Sequence, residues 1–339
     1  MTNNWNLLGH DWAVDMLRRH IATGEARHAY LFAGPAGLGR RSLALAFARA
    51  LNCTNPPAPG ESCGQCRDCK QITAMAHPDL GIIEPTIINP ENRKELIPAL
   101  YGEIRIQQIR DLQKIINLKP YQSRYRPIIC LRFNQTADQA ANALLKTLEE
   151  PPAHAILLLT ADNPESLLPT IVSRCEVLRL RPLPLEQVEK ELERRGAESS
   201  QARLIAHVSG GRPGYAFRLL EDKSLLEFRH TRLDDLQKLL SASRVDKFAY
   251  AEKLAKEKDV MRQVFIVWLS YWRDVFLRVS KADSPLANVD RAEEIETLAK
   301  KLDLPAARQR VTETERAIQQ MEHNVNARLL VEVLLLGWA

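Results

Sequence analysis

The stretch Gly34-Pro35-Ala36-Gly37-Leu38-Gly39-Arg40-Arg41 decides the fold of the first part of this chain. Four residues separate its outer glycines, which is the spacing of a phosphate-binding loop. The apolar run Ala29–Ala33 before it predicts a short buried strand, and the Ala- and Leu-rich run Ser42–Leu51 after it predicts a helix. Strand, glycine loop and helix in this order are the context that such a loop requires.

The residues after the last glycine lack the groups of phosphate chemistry. A phosphate-binding loop continues with Lys, which reaches the terminal phosphates, and with Ser or Thr, whose hydroxyl binds Mg²⁺. This chain has Arg40 and Arg41 there, and Ser42 lies one residue late, about 100° further around the helix. The planar fork of Arg40 is a poor substitute for a compact ammonium. The loop is therefore predicted to be vestigial, with no functional cofactor site at Gly34, Gly37, Gly39, Arg40 and Arg41.

A second requirement of ATP hydrolysis also fails. Acidic residues at the end of a neighbouring strand bind Mg²⁺ and orient the attacking water. The run Pro127–Leu131 predicts that strand, but Leu131 and Arg132 stand where acids are needed, and Asp138 comes too late. We therefore expect this chain to have no ATPase activity of its own.

Four of the six cysteines are clustered in the spacing C-x9-C-x2-C-x2-C, and they are Cys53, Cys63, Cys66 and Cys69. Four thiolates form a closed tetrahedral Zn²⁺ site, so a structural zinc ion is predicted, with unbound thiols or a disulfide pair as alternatives. His77 is a possible substitute ligand, although its place before Pro78 favours an ordinary turn. Cys130 and Cys175 lie beside apolar strand residues and are predicted to be buried free thiols.

Further apolar runs alternate with helical patterns up to residue 180. Strands are predicted at Ile82–Ile83, Ala155–Thr160 and Cys175–Leu180, and helices at Ile104–Leu118 and Asn142–Glu150. This alternation implies a parallel sheet with right-handed crossovers.

Only helical patterns follow the linker Arg181–Pro184. Two short helices end at the Gly210–Gly214 break, and a longer helical region follows. Its aromatic stripe near Trp268 is interpreted as core packing rather than as a partner surface. The predicted domains are 1–180, with a zinc-binding excursion at 52–70, then 181–223 and 224–339.

The composition is that of a globular protein. The chain has 339 residues, of which 26% are charged and 45% apolar, so two or three domains are expected. A net charge of +5 permits contact with nucleic acid but does not argue for it. We see no secretory signal in Met1–Trp5, and stretches such as Val264–Leu269 are too short to cross a membrane, so a cytoplasmic location is expected.

Two groups of basic residues have both a structural and a functional interpretation. One group is interleaved with Tyr121 and Tyr125 and either faces DNA or, by default, forms a solvated helix face and its trailing loop. It consists of Arg105, Arg110, Lys114, Lys119, Arg124 and Arg126. In Ser173-Arg174-Cys175, the arginine is either a surface residue or an arginine finger that reaches the ATP of a neighbouring subunit.

Several segments in this order resemble the clamp-loader subunits of bacterial DNA polymerase III, which are AAA+ proteins. They are His28–Phe32, the glycine loop, the four-cysteine excursion, the run Asn142–Pro152 and Ser173-Arg174-Cys175. The run Asn142-Ala143-Leu144-Leu145-Lys146-Thr147-Leu148-Glu149-Glu150-Pro151-Pro152 is the most specific of them. A weaker likeness at Asn326–Leu330 extends the resemblance over essentially the whole chain.

The resemblance implies an α/β RecA-like (AAA+) module with a parallel sheet and a zinc-binding insertion, a small helical lid and an all-helical collar. The collar would join a hetero-pentameric ring with gamma/tau motor subunits and a delta subunit. Through that complex, the implied partners are the sliding clamp and primer-template DNA.

Within this family, the motor subunits keep Lys-Thr in the loop and an Asp-Glu pair after the second strand. This chain has Arg40, Arg41, Leu131 and Arg132 at those places, so the resemblance implies a non-hydrolysing subunit. Its catalytic contribution would be Arg174, with Ser173 and Cys175 as motif neighbours, acting in trans on an adjacent ATP site. The arginine of the family's lid falls near Pro213, with Arg212 beside it.

Two other functions remain open from the sequence. One is an active AAA+ motor of the gamma/tau type with an unusual site, which would have to hold Mg²⁺ without the hydroxyl or the acids. The other is a zinc-stabilised DNA-binding protein acting alone, which the modest net charge disfavours.

Overall fold

The computed structural model describes residues 5–89, 91–92, 95–99, 102–321 and 325–338. The chain divides into two compact units. The first comprises residues 1–183 together with Arg212–Gly214, and the second comprises residues 184–211 and 215–339. The predicted lid and collar therefore fall largely in one unit, and the division into three domains stays a prediction.

A five-stranded parallel sheet forms the centre of the first unit. The strands of the described residues are β1 (Ala29–Ala33), β2 (Gly81–Ile83), β3 (Thr86–Ile88), β4 (Leu96–Pro98), β5 (Arg126–Cys130), β6 (Ala155–Ala161) and β7 (Glu176–Arg179). The sheet order is β2-β5-β6-β1-β7, and β3 and β4 form a separate antiparallel hairpin. The strand before the glycine loop thus lies inside the sheet, between β6 and β7. This topology confirms the predicted RecA-like (AAA+) fold class.

Helices cover both faces of this sheet. They are α1 (Asp11–Thr23), α2 (Arg40–Asn52), α3 (Arg67–Thr73), α4 (Ile106–Ile116), α5 (Asp138–Glu149) and α6 (Pro169–Val172). The side chains of β1 alternate between two apolar clusters, because successive residues of a strand point to opposite faces. Phe32 packs in the cluster that contains Phe47 of α2, and Leu31 packs in the one that contains Leu144 of α5.

The second unit is helical. Its helices are α7 (Leu185–Arg194), α8 (Ser199–Ser209), α9 (Pro213–Glu221), α10 (Lys223–Ser241), α11 (Arg244–Leu254), α12 (Lys258–Val279), α13 (Ala292–Ala299), α14 (Leu304–Gln320) and α15 (Ala327–Leu336). The first two residues of α9 belong to the first unit. The ring of Trp338 meets Trp268 edge-on at 4.9 Å and Trp272 at 5.5 Å. The aromatic stripe of α12 is therefore core, as predicted. Among the described residues, no helix is both long and apolar enough to cross a bilayer.

Two helices have limits that differ from the prediction for local reasons. Helix α4 begins at Ile106 rather than Ile104, because Ile104 forms a bridge with Thr136. Helix α5 begins at Asp138, four residues before the predicted start, and an acidic residue in the first turn favours such a start.

Four of the six basic residues between 105 and 126 are exposed, as the predicted solvated face requires, and Arg105 is partly exposed, but the interpretation is wrong for Arg126. Arg126 is only 7% exposed, and its Nη2 lies 3.0 Å from Oδ1 of the buried Asp79. Lys114 is exposed and pairs with Asp111 on its own helix. The guanidinium of Arg126 is thus a structural group rather than a ligand for DNA.

Candidate functional site

The glycine loop after β1 keeps the shape of a phosphate cradle. Gly34, Gly37 and Gly39 have φ angles of 147°, 89° and 95°, in the region that favours glycine. A Cβ atom on Gly34 would lie 2.6 Å from the backbone oxygen of Leu180, so a larger residue does not fit there. The carbonyl of Gly37 accepts a hydrogen bond of 2.8 Å from the amide of Gly214. The loop backbone is therefore held in place by protein contacts.

Arg40 stands at the lysine position of the loop, and it is paired with a carboxylate of the same chain. Its Nη1 lies 2.9 Å from Oδ1 of Asp162, in an ion-pair contact rather than an aligned hydrogen bond. Burial lowers the pKa of Arg40, and the neighbouring charge of Asp162 opposes that effect. A guanidinium nevertheless stays charged in proteins. The cation that would meet a nucleotide phosphate thus has an internal partner.

Asp162 is the residue that directly follows β6. It is hydrogen-bonded to Asn134, which lies in the connection after the neighbouring strand β5. Asn134 Nδ2 donates to Asp162 Oδ2 at 3.3 Å, and the amide of Asp162 donates to Asn134 Oδ1 at the same distance. The carboxylate therefore lies at the carboxyl edge of the sheet, beside the start of α2, where a parallel sheet of this kind presents its ligands.

The end of β5 presents no acidic side chain to the cradle. Leu131 is buried in the apolar core. Arg132 has a left-handed backbone with a φ of 51°, and its amide donates to Thr160 Oγ1 at 2.8 Å. Its guanidinium donates to the carbonyl of Ala99 at 3.1 Å. The two places where the sequence analysis required acids are therefore occupied by a core residue and a structural arginine.

The four clustered cysteines converge at one point of the first unit. The sulfurs of Cys53, Cys63, Cys66 and Cys69 all lie within 4.8 Å of one another. A tetrahedral zinc site has Zn–S bonds of about 2.3 Å, which places the sulfurs roughly 3.8 Å apart. These residues fit a metal ion, and the described residues offer no other group of metal-binding side chains. His77 is not one of the four.

Backbone amides donate hydrogen bonds to the sulfurs of Cys53, Cys63 and Cys66. Sγ of Cys63 accepts from the amides of Gln65 at 3.4 Å and Cys66 at 3.2 Å, and Sγ of Cys66 accepts from the amide of Cys69 at 3.4 Å. Hydrogen bonds from backbone amides lower the pKa of the Cys63 thiol. Burial acts against them at Cys66, yet the amide bonds lower its pKa to about 6. Burial raises the pKa of Cys53 and Cys69.

A buried polar network joins the cysteine cluster to the sheet. Asp68 of α3 lies next to Cys69, and its Oδ1 is 3.1 Å from Nε2 of His77. Nδ1 of His77 accepts from the amide of Asp79, whose carboxylate accepts from three backbone amides of the loop 121–123. Those amides lower the pKa of Asp79 against the effect of its burial. The histidine therefore has a structural role within a turn.

Arg174 lies between α6 and β7 with a side chain that is 34% exposed. Its Nη1 donates to the carbonyl of Thr170 at 2.8 Å, and its Nη2 donates to Oε1 of Glu149 at 2.7 Å. Cys175 is half-buried and unbonded to another cysteine, and Cys130 is fully buried. Burial raises the pKa of both thiols to about 12, which fits inert thiols.

The sequence did not predict that Asp162 and Glu149 pair with the two arginines of this site. Asp162 follows directly on the apolar run of β6, where a side chain reaches the edge of the sheet. Glu149 lies in the last turn of α5, although a helix end favours basic residues. The local sequence thus marks both positions as unusual. It does not indicate which arginine each carboxylate pairs with.

Fold and loop together define an AAA+-type module whose phosphate cradle lacks both the loop hydroxyl and the acids after β5 that would bind Mg²⁺. A family model described as "DNA polymerase III, delta subunit" matches residues 9–184, and one described as "DNA polymerase III, delta subunit, C terminal" matches residues 223–339. The chain belongs to this family of clamp-loader subunits.

Individual relatives narrow the type of subunit. The chain is 33% identical to DNA polymerase III subunit delta′ of Pseudomonas aeruginosa, over 92% of each chain. It is 27% identical to the subunit of the same name from Bacillus subtilis, over 95% of this chain and 94% of the relative. Subunit tau of Salmonella typhimurium is 31% identical, but the match covers 56% of this chain and 27% of tau. The chain is thus a delta-prime-type subunit of the clamp loader, which agrees with the resemblance in its motifs.

Removal of one cluster cysteine tests the metal site. Cys66→Ser is expected to lower the zinc content well below that of the unmodified chain and to destabilise the first unit, because a closed site needs four ligands. Elemental analysis and thermal unfolding measure the two effects. Cys175→Ser, outside the cluster, serves as the control and should retain zinc. A Cys66→Ser chain with its full zinc content would contradict the four-cysteine site.

Asp162→Asn tests the partner of Arg40. The change leaves a buried guanidinium without its counter-charge and is expected to reduce the free energy of unfolding by about 1–3 kcal/mol. Urea unfolding measures this loss. Asp111→Asn is the matched control, because its carboxylate is 51% exposed like that of Asp162, whereas its partner Lys114 is 72% exposed. If both variants lose the same free energy of unfolding, the burial of Arg40 does not make its pair with Asp162 more stabilising than an exposed pair.

Proposed function

We propose that this chain is a non-hydrolysing ring subunit that helps load the sliding clamp on primed DNA in the cytoplasm. Its neighbours would be gamma/tau motor subunits and a delta subunit in a hetero-pentameric ring. The names of the relatives support this assignment, because they are subunits of DNA polymerase III.

The observation that carries the proposal is the internal pairing of Arg40 with Asp162 at 2.9 Å. Hydrolysis needs a cation on the terminal phosphates, a hydroxyl on Mg²⁺ and an acid that orients water. In this chain the cation is paired, Arg41 offers no hydroxyl, and Leu131 and Arg132 replace the acids. The loop would therefore serve as a scaffold.

Arg174 would be the catalytic contribution of this subunit. It is partly exposed beside β7, which is an edge strand of the sheet, so a neighbouring subunit can approach it. A guanidinium supplied in trans stabilises the charge that develops on the transferred phosphoryl group. Ser173 and Cys175 would hold the segment that presents it.

Cys53, Cys63, Cys66 and Cys69 would hold a structural Zn²⁺ ion. Four thiolates fill the tetrahedral coordination of zinc and leave no open position for water, so the ion would stabilise the fold and take no part in a reaction.

Arg174→Ala tests the trans role in the reconstituted clamp loader. At the site that Arg174 completes, ATP turnover is expected to fall roughly 10³-fold, while complex formation and thermal stability stay unchanged. Steady-state ATPase rates and gel filtration measure these quantities. Arg179→Ala is the matched control, since Arg179 is also exposed and paired with a glutamate at 2.7 Å. Unchanged turnover in the Arg174→Ala complex would refute the finger role.

A double substitution tests whether the loop alone limits hydrolysis. Arg40→Lys with Arg41→Thr restores the cation and the hydroxyl but leaves Leu131 and Arg132 in place, so no ATP turnover is expected from the isolated chain. Phosphate release in the presence of Mg²⁺ measures it, with the unmodified chain as reference. Sustained hydrolysis by either protein would favour a motor of the gamma/tau type.

A further inference from the structure

We propose that Glu149 is a positioning residue for Arg174. It orients the guanidinium of Arg174 before a neighbouring subunit binds. This inference rests on the trans role proposed for Arg174. It assigns to the last glutamate of α5 a function in the activity of another subunit.

Two contacts fix the guanidinium of Arg174. Nη2 donates to Glu149 Oε1 at 2.7 Å, and Nη1 donates to the carbonyl of Thr170 at 2.8 Å. The two acceptors come from different helices, α5 and α6, so the side chain is held from two directions. A free arginine side chain loses rotamer entropy when it is ordered, and these contacts remove part of that entropy in advance.

Glu149 lies at a position that disfavours a carboxylate. It is the last residue of α5, where the unpaired backbone carbonyls repel negative charge. Glu150 caps the helix, and the prolines at 151 and 152 prevent its extension. This end of the helix therefore places Glu149 beside α6, and its charge is compensated by Arg174.

The strength of the pair suits positioning. Both side chains are partly exposed, 34% for Arg174 and 51% for Glu149, and an exposed ion pair contributes little to stability. A pair of this kind orients an arginine without preventing it from meeting a phosphate. A guanidinium has five N–H donors. The two contacts use two of them, so three remain for a phosphate while Glu149 stays bound.

The test uses the reconstituted clamp loader and the part of the ATP turnover that Arg174→Ala removes. Glu149→Ala is expected to lower the kcat of the Arg174-dependent ATP turnover about 5-fold, which corresponds to about 1 kcal/mol of activation free energy. KM for ATP is expected to stay unchanged. Glu149→Gln keeps an oxygen acceptor and is expected to recover most of the loss. Glu150→Ala is the matched control, because Glu150 is the adjacent exposed glutamate, and it should have no effect.

A double-mutant cycle separates positioning from a general structural effect. In complexes that carry Arg174→Ala, the further change Glu149→Ala should cause no additional loss of turnover, because Glu149 acts through Arg174. Thermal unfolding and zinc content of each variant confirm that the chain is folded.

Three results would overturn the positioning role while leaving the finger role intact. They are a Glu149→Ala complex with unchanged kcat, one with raised kcat, and an additional loss in the Arg174→Ala background. If Arg174→Ala itself has no effect on turnover, the finger role fails, and this inference fails with it.

Discussion

A buried guanidinium needs a counter-charge, and this requirement governs the phosphate loop of the first unit. Arg40 is 8% exposed, so the removal of its charge from water has to be offset by a nearby carboxylate. Asp162 supplies it from the end of β6, and Asn134 holds Asp162 in place. In a functional phosphate-binding loop the cation pairs with the phosphates of a nucleotide. Here the cation is Arg40, and it pairs with Asp162 of the same chain. The glycines of the loop can therefore keep their geometry without a ligand.

Arg40, Arg126 and Arg174 of this unit are each paired with an acid, and their exposure separates their roles. Arg126, at 7% exposure, meets a fully buried Asp79, and the pair holds a loop onto the sheet. Arg40 pairs with the half-exposed Asp162 inside the cradle. Arg174 is the most exposed of the three, and solvent weakens its pair. Of these three guanidinium groups, that of Arg174 is therefore the one best able to meet a partner.

The parallel sheet, the helical second part and the convergence of the cysteines were predictable from the sequence, because each depends on local patterns. Short apolar runs, the glycine spacing and the CxxC turns all act over a few residues. The pairs Arg40–Asp162 and Arg174–Glu149 were not predictable in the same way. Their members lie far apart in the chain and meet only because β6 adjoins β1 and α5 adjoins α6. Arg126 was misjudged for the same reason, since Asp79 reaches it through the fold.

The polar network around Asp79 explains how a small cysteine-rich insertion can affect the sheet as a whole. Asp68, beside Cys69, is bonded to His77, and the ring of His77 in turn accepts from the amide of Asp79. Asp79 then holds the loop that leads into β5 through backbone amides and through Arg126. Hydrogen bonds in a buried network of this kind are stronger than in water, because the local dielectric constant is low. A zinc ion on the cysteines would fix α3 and with it Asp68, so its stabilising effect would extend to the start of β5.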